Sequence, residues 1–209
     1  MKLRTGHMNR ALSTVLTTII ILVASVVLAT GVVLYGTSLF QTSTQQEAIS
    51  VSGMKIWTNA DNSTGYTWGA FAVRNSGDKI LSVDKITIRG TDIPFTQWYP
   101  DTGTDVDSTK LQQAMNFSGW DTTSVWRLAS TTVSTCNGET LEINLAVGID
   151  FCANTATGPV GLEPGDGAII YFQVANGTVA PIDAGISTAI GVFAGKSGAP
   201  ISVTVSSKT

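Results

Sequence analysis

The chain has 209 residues, of which 13% are charged, with 12 basic and 15 acidic side chains and a net charge of −3. So sparse and acidic a charge set, without any Lys/Arg-rich run, argues against nucleic-acid binding, which wants basic patches. The single histidine is His7, near the start, so Ser-His-Asp catalysis, histidine acid–base chemistry and nearly all zinc sites lack a side chain in the rest of the chain.

The first ten residues, MKLRTGHMNR, carry Lys2, Arg4 and Arg10 and no acid. Residues 11–46, ALSTVLTTIIILVASVVLATGVVLYGTSLFQTSTQQ, then run without a formal charge. Such a stretch must sit in lipid or against other hydrophobic helices, because water leaves its apolar side chains unburied. A bilayer needs about 20 apolar residues, and here the apolar character continues through Val32, Val33, Leu34, Leu39 and Phe40. Carried to Ser50, a helix would reach about 58 Å at 1.5 Å per residue. The run from Ala11 to Phe40 is about twice the core of a cleaved secretory signal, so Val27-Leu28-Ala29 reads as helix and not as a cleavage site. The basic leader stays on the cytoplasmic side, which places everything downstream outside the cell.

Within this segment Ser25 and Ala29 share a helical face, where small side chains allow close helix approach. Gly31 and Gly36 predict a bend or local melting, at about 1 kcal/mol each. Thr14, Thr17 and Thr18 can return their hydroxyls to carbonyls of the preceding turn.

The run Asn9-Arg10-Ala11-Leu12-Ser13-Thr14-Val15 resembles the prepilin-type leader of the type IV pilin superfamily, and more narrowly is similar to archaeal pilins and archaellins. The resemblance covers Met1 to roughly Glu47. It implies that a membrane peptidase cuts before the helix, with Arg10 as the basic residue ahead of the cut, Ala11 as the last leader residue and Leu12 as the new N-terminus. A rival cut after Gly6 would leave Arg10 at the head of a helix that must be buried in a filament. Two departures matter. The fifth residue after the cut is Leu16 and not the glutamate of bacterial pilins, and LSTVLTT replaces the glycine-containing start common in archaellins. The first fits the archaeal branch, and the second favours an archaeal pilin over an archaellin. The implied partners are copies of the chain itself, the prepilin peptidase, and a membrane assembly platform with its ATPase. No cofactor is implied.

These readings divide the chain into a leader (1–11), a filament-core helix (12–50) and an extracellular head (51–209), with Gln41–Gln46 as a polar, uncharged junction. Losing the leader leaves nine basic residues against fifteen acidic ones.

In the head the period changes to alternation. Leu141, Ile143, Leu145 and Val147 form one strand face; Ile86 and Ile88 another; Ile201, Val203 and Val205 a third. Met54–Thr58, Thr67–Arg74, Val125–Leu128, Ala168–Val174 and Ser187–Phe193 are further strand candidates. Turn signals separate them at Asn75-Ser76-Gly77-Asp78, Asp101-Thr102-Gly103, Cys136-Asn137-Gly138, Glu163-Pro164-Gly165-Asp166-Gly167 and Asn176-Gly177. Eight or so short strands predict an antiparallel, immunoglobulin-like sandwich, so the whole is α+β, as the pilin resemblance also implies.

Cys136 and Cys152, the only cysteines, read most simply as one disulfide in an extracellular chain, with two separate buried thiols as the alternative. A loop of that length would be stabilised by roughly 3 kcal/mol. Asp101, Asp105 and Asp107 could ligate calcium, but the glycine and distal glutamate of an EF-hand loop are missing, so a solvated acidic turn is preferred. Asn62, Asn116 and Asn176 begin glycosylation sequons. Trp57, Trp68, Trp98, Trp120 and Trp126 read as core aromatics, with Trp98-Tyr99-Pro100 as the exposed exception. The sequence expectation is a structural, non-enzymatic subunit of an extracellular archaeal pilus-like filament. The alternatives are an archaellin serving motility and a permanently anchored extracellular binding module.

Overall fold

The computed structural model describes residues 6–43, 46–60, 67–103, 106–121, 128–131, 136, 139–175 and 177–209. The chain forms two compact units, Met1–Gln45 and Gln46–Thr209. The first is one helix, α1, from Gly6 to Ser43 (38 residues), about 57 Å long at 1.5 Å per residue. It is unbroken at Gly31 and Gly36, where the sequence predicted a bend or melting. Helix propagation is cooperative, and the long flanking runs outweigh two isolated glycine penalties. The helix also stops short of Ser50, because the first strand has already begun at Ile49.

The second unit is mostly β. Its elements in order are β1 (Ile49–Asn59), β2 (Thr67–Asn75), β3 (Leu81–Ile88), β4 (Thr91–Asp92), β5 (Trp98–Asp101), a one-turn α2 (Ser108–Leu111), β6 (Leu141–Ala146), β7 (Ile149–Ala153), β8 (Val160–Leu162), β9 (Gly167–Val174), β10 (Ser187–Ala194) and β11 (Ser197–Lys208). Nine of these strands make one curled sheet, ordered β4-β3-β10-β11-β1-β2-β9-β5, with β8 also on β3. The fold is therefore α+β, a long apolar helix followed by a β domain. One pairing departs from the antiparallel expectation: β1 and β11 run parallel, Ile56 opposite Val205 through Asn59 opposite Lys208. The β10–β11 hairpin turns the last strand back into the direction of the first.

The curl brings two halves of the sheet face to face. From one half come Ile56, Phe71, Val73, Trp98, Ile170, Phe172 and Val174; from the other Val83, Ile86, Ile88, Ile190, Val192 and Val205, all buried in one cluster. A second cluster lies on the outer face of β1, β2 and β9. There Trp57, Trp68, Ala70, Ala72, Ile169 and Tyr171 are covered by Leu141, Ile143, Leu145 and Phe151 of the β6–β7 hairpin, with Met115 and Leu128. β2 and β9 are thus buried on both faces, which is why TWGAFAVRN and GAIIYFQV read as near-continuous apolar runs.

Several expectations are corrected. Trp98 is fully buried, with Nε1 donating to the Ile93 carbonyl (3.1 Å). Val147 lies in the turn after β6 and is fully exposed, because a register shift between Asn144 and Ala146 ends the strand's alternation. Trp57 and Trp68 are core, as expected, and Trp120 is half-buried. Trp126 lies outside the described residues, as does all of the Val125–Leu128 candidate except Leu128, which forms an isolated bridge with Trp120.

Close strand packing depends on Gly69, paired with Phe172 across β2 and β9. A Cβ at Gly69 would strike the Phe172 ring. Gly69→Ala is expected to lower stability by about 1–3 kcal/mol, the usual cost of overpacking, read as a lower denaturant midpoint at unchanged slope. A midpoint equal to wild type would show that the ring moves aside freely.

Candidate membrane and assembly segment

The longest uninterrupted apolar surface belongs to α1. Ser13–Leu39, 27 residues, is long and apolar enough to cross a membrane, and none of it is buried within the molecule. Val15, Leu16, Ile19, Ile20, Leu22, Val26, Leu28, Val33 and Leu39 are all exposed, so apolar side chains surround the helix instead of forming one stripe. A helix that is hydrophobic all round belongs in a core or a membrane and not at a water-facing surface.

The polar side chains in this segment turn back on their own helix. Thr17 Oγ1 donates to the Ser13 carbonyl (2.8 Å), Thr18 to Val15 (2.8 Å), Ser25 Oγ to Leu22 (2.8 Å) and Thr37 to Leu34 (3.0 Å). Thr30 is shared between the Val26 and Val27 carbonyls (2.9 and 3.0 Å). These five hydroxyls therefore make no hydrogen-bond demand on a neighbour and can lie in hydrocarbon. Arg10, Ala11 and Leu12 fall inside α1, with their side chains outside those described.

In the head, Cys136 and Cys152 form the disulfide, with Cα atoms 5.6 Å apart. It ties the segment before β6 to β7. Glu139 lies beside the two sulfurs, but sulfurs joined to each other offer no thiolate to a metal. An open groove of about 650 Å³ runs past the disulfide, lined by Asp101, Thr102, Glu139, Asn154 and Thr157 among others. Among its described lining residues the acids are Asp101 and Glu139.

Asp101 is not a solvated turn residue. Its carboxylate and the Lys110 ammonium, 2.7 Å apart, are 5% and 4% exposed. Oδ2 also accepts from the Cys152 amide (3.3 Å), and Oδ1 from the Gly103 amide (3.2 Å). Asp107 caps α2, Oδ1 accepting from the Thr109 and Lys110 amides (both 2.9 Å). Asp105 lies outside the described residues. Asp101 is thus paired with Lys110 in the interior, and the pair links β5, α2 and β7. Sequence reasoning missed Lys110 because nothing in its neighbours marks a buried lysine; α2 places it.

Of the sequons, Asn62 and Asn176 lie outside the described residues. Asn116 is exposed, and its Nδ2 donates to the Asn144 carbonyl (2.9 Å), so a glycan there would leave one N–H for that bond. Its backbone amide and carbonyl both engage the Tyr171 hydroxyl (3.1 and 3.0 Å). Burial pushes the Tyr171 phenol above its ordinary range, and the Asn116 bond acts in the opposite direction.

At the end of the β3–β4 hairpin, Arg89 adopts φ 50°, a left-handed conformation uncommon for a side-chain-bearing residue. Its guanidinium forms a fork on Asp183: Nη1 to Oδ2 at 3.0 Å and Nη2 to Oδ1 at 2.9 Å. Asp183 Oδ2 also accepts from the Ala180 amide (2.9 Å). The Arg89 hydrogen bond holds the Asp183 carboxyl below its ordinary value of 3.8, the Ala180 amide adding to it. Compared with known proteins, no protein-family model matches the chain and no curated protein matches it either.

Two measurements follow. Reduction of Cys136–Cys152 is expected to lower the head's stability by roughly 3 kcal/mol, seen as an earlier denaturant midpoint after reductant; no change would mean the bridge constrains nothing. For Asp183 the folded value is lowered, so its contribution is full above 3.8 and fades as pH falls through the lower folded value. Wild type and Asp183→Asn should therefore differ at neutral pH and converge in acid, a trend that pH-resolved thermal melts would detect or contradict.

Proposed function

We propose that the chain is a structural, non-enzymatic subunit of an extracellular pilus-like filament of the archaeal type IV pilin kind, polymerising through α1 and serving surface attachment. The observation that supports this most directly is the 27-residue apolar surface of which nothing is buried in the molecule. It is joined to a folded, disulfide-bonded β domain. A surface of that kind needs either lipid or other helices, and a subunit that moves from one to the other meets both conditions.

In this reading Lys2, Arg4 and Arg10 hold the precursor's N-terminus at the cytoplasmic face while the helix spans the bilayer. Cleavage between Ala11 and Leu12 removes those charges. The freed helix then leaves lipid for a bundle of identical helices. At roughly 25 cal/mol per Å² of apolar surface, exposure to water on the way is heavily unfavourable, so the bundle replaces lipid directly. The self-bonded hydroxyls of Thr17, Ser25 and Thr30 suit the transfer, since their bonds need not be exchanged. The β domains face the surroundings, and the partners are further copies, a prepilin peptidase and a membrane assembly apparatus.

Intact-mass measurement on material sheared from cells tests this reading. The expected species lacks residues 1–11 and comes from filaments visible by electron microscopy. Full-length protein confined to membranes would replace it with a permanently anchored binding module, and a soluble monomer cut near Ala29 with a secreted protein.

A further inference from the structure

The chain enters the head at Gln46, and the residues from Gln46 to Ile49 are gripped from two sides. On one side stands the turn Asn75–Lys79. The Ser76 amide donates to the Ala48 carbonyl (2.9 Å) and the Asp78 amide to the Gln46 carbonyl (3.2 Å). Gly77, between them, has no room for a side chain: a Cβ would run into the Gln46 carbonyl oxygen and stand 2.8 Å from the Ala48 nitrogen.

This turn is itself braced by a buried side chain. Asn75 Nδ2 donates to the Lys79 and Leu162 carbonyls (2.6 and 3.1 Å), and Oδ1 accepts from the Gly77 amide (3.0 Å). The Asn75 amide donates to the Asp166 carbonyl and its carbonyl accepts from the Gly165 amide (2.9 and 3.0 Å).

On the other side is the turn between β10 and β11. The Lys196 amide donates to Glu47 Oε2 (2.9 Å), and Ser197 Oγ accepts the Ile49 amide (3.3 Å). Gly195, at φ 58°, packs against Glu47 with 3.0 Å left for a Cβ. Lys79 Nζ reaches Glu47 Oε1 at 3.9 Å.

Immediately beyond, β1 pairs antiparallel with β2, and from Ile56 to Asn59 it also pairs parallel with β11. Bonds between a strand and its neighbours run across the strand axis. A pull that arrives along the chain from α1 meets the bonds that hold Gln46–Ile49 before those of the rest of β1.

We propose that this grip is a force clamp: tension arriving along α1 is taken up at Gln46–Ile49 before it reaches the β1 ladder and the core behind it. The clamp needs only the covalent link from helix to head, so it serves a filament subunit and a permanent anchor alike. Its failure would leave the filament reading untouched.

The test is constant-force spectroscopy on the full chain in detergent, with handles at the two termini. Glu47→Ala is expected to shorten the folded lifetime under load about fivefold, the ratio that one lost hydrogen bond gives. Gly77→Ala, which forces the entry segment off its turn, should shorten it at least as much. Arg89→Ala breaks the fork on Asp183 at the other end of the head, beyond Ile88 and Ser187. It should lower the thermal midpoint while leaving the lifetime under load as in wild type. Equal lifetimes for wild type and Glu47→Ala would overturn the clamp, as would an Arg89→Ala effect as large as that of Glu47→Ala. If Gly77→Ala does not fold, the Glu47→Ala result alone decides.

Discussion

Everything in this molecule is organised around a hydrocarbon surface that the chain cannot cover by itself. From Ser13 to Leu39 the helix presents Val, Ile and Leu on all sides and buries none of them. A soluble protein resolves such a surface by folding its own residues over it; here the remaining residues form a separate unit with a core of its own. The helix must therefore take its surroundings from outside the chain. Lipid and sister helices are the two environments that fit, and the proposed function amounts to an exchange between them.

The head answers a different constraint. Curling one sheet on itself supplies an interior, but leaves the outer faces of β1, β2 and β9 with Trp57, Trp68 and Tyr171 to hide. The β6–β7 hairpin does that work, so these central strands are sandwiched twice. The hairpin is fastened along its margins by the Cys136–Cys152 bridge and by the buried Asp101–Lys110 pair. Breaking one partner of such a pair would leave an uncompensated charge in the interior. The cover therefore cannot shift without disturbing the ion pair beneath it.

Legibility followed period and side-chain chemistry. α1 could be read outright, because a charge-free run of that length admits few structures. β3, β6 and β11 were visible as alternation, and the disulfide from a lone pair of cysteines. β2 and β9 were found as apolar runs, but two-sided burial remained hidden, since nothing local says that a distant hairpin will cover the second face. β5, β7 and β8 were too short for a period to register. The acidic run after Trp98-Tyr99-Pro100 made β5 look exposed, whereas these residues form an edge strand, where proline is tolerated. Lys110 was illegible in principle: its acidic partner is chosen by the fold and not by sequence spacing.

The inward-turned hydroxyls of α1 carry a last consequence. With Thr17, Thr18, Ser25, Thr30 and Thr37 each occupied by its own backbone, these five positions would offer adjoining copies shape but no directional code. Grease against grease slides, and one axial offset is then nearly as good as the next. In a polymer of such rods, stagger and rotation would have to be dictated by the bulky domains outside, leaving the interior free to drift in composition so long as it stays oily.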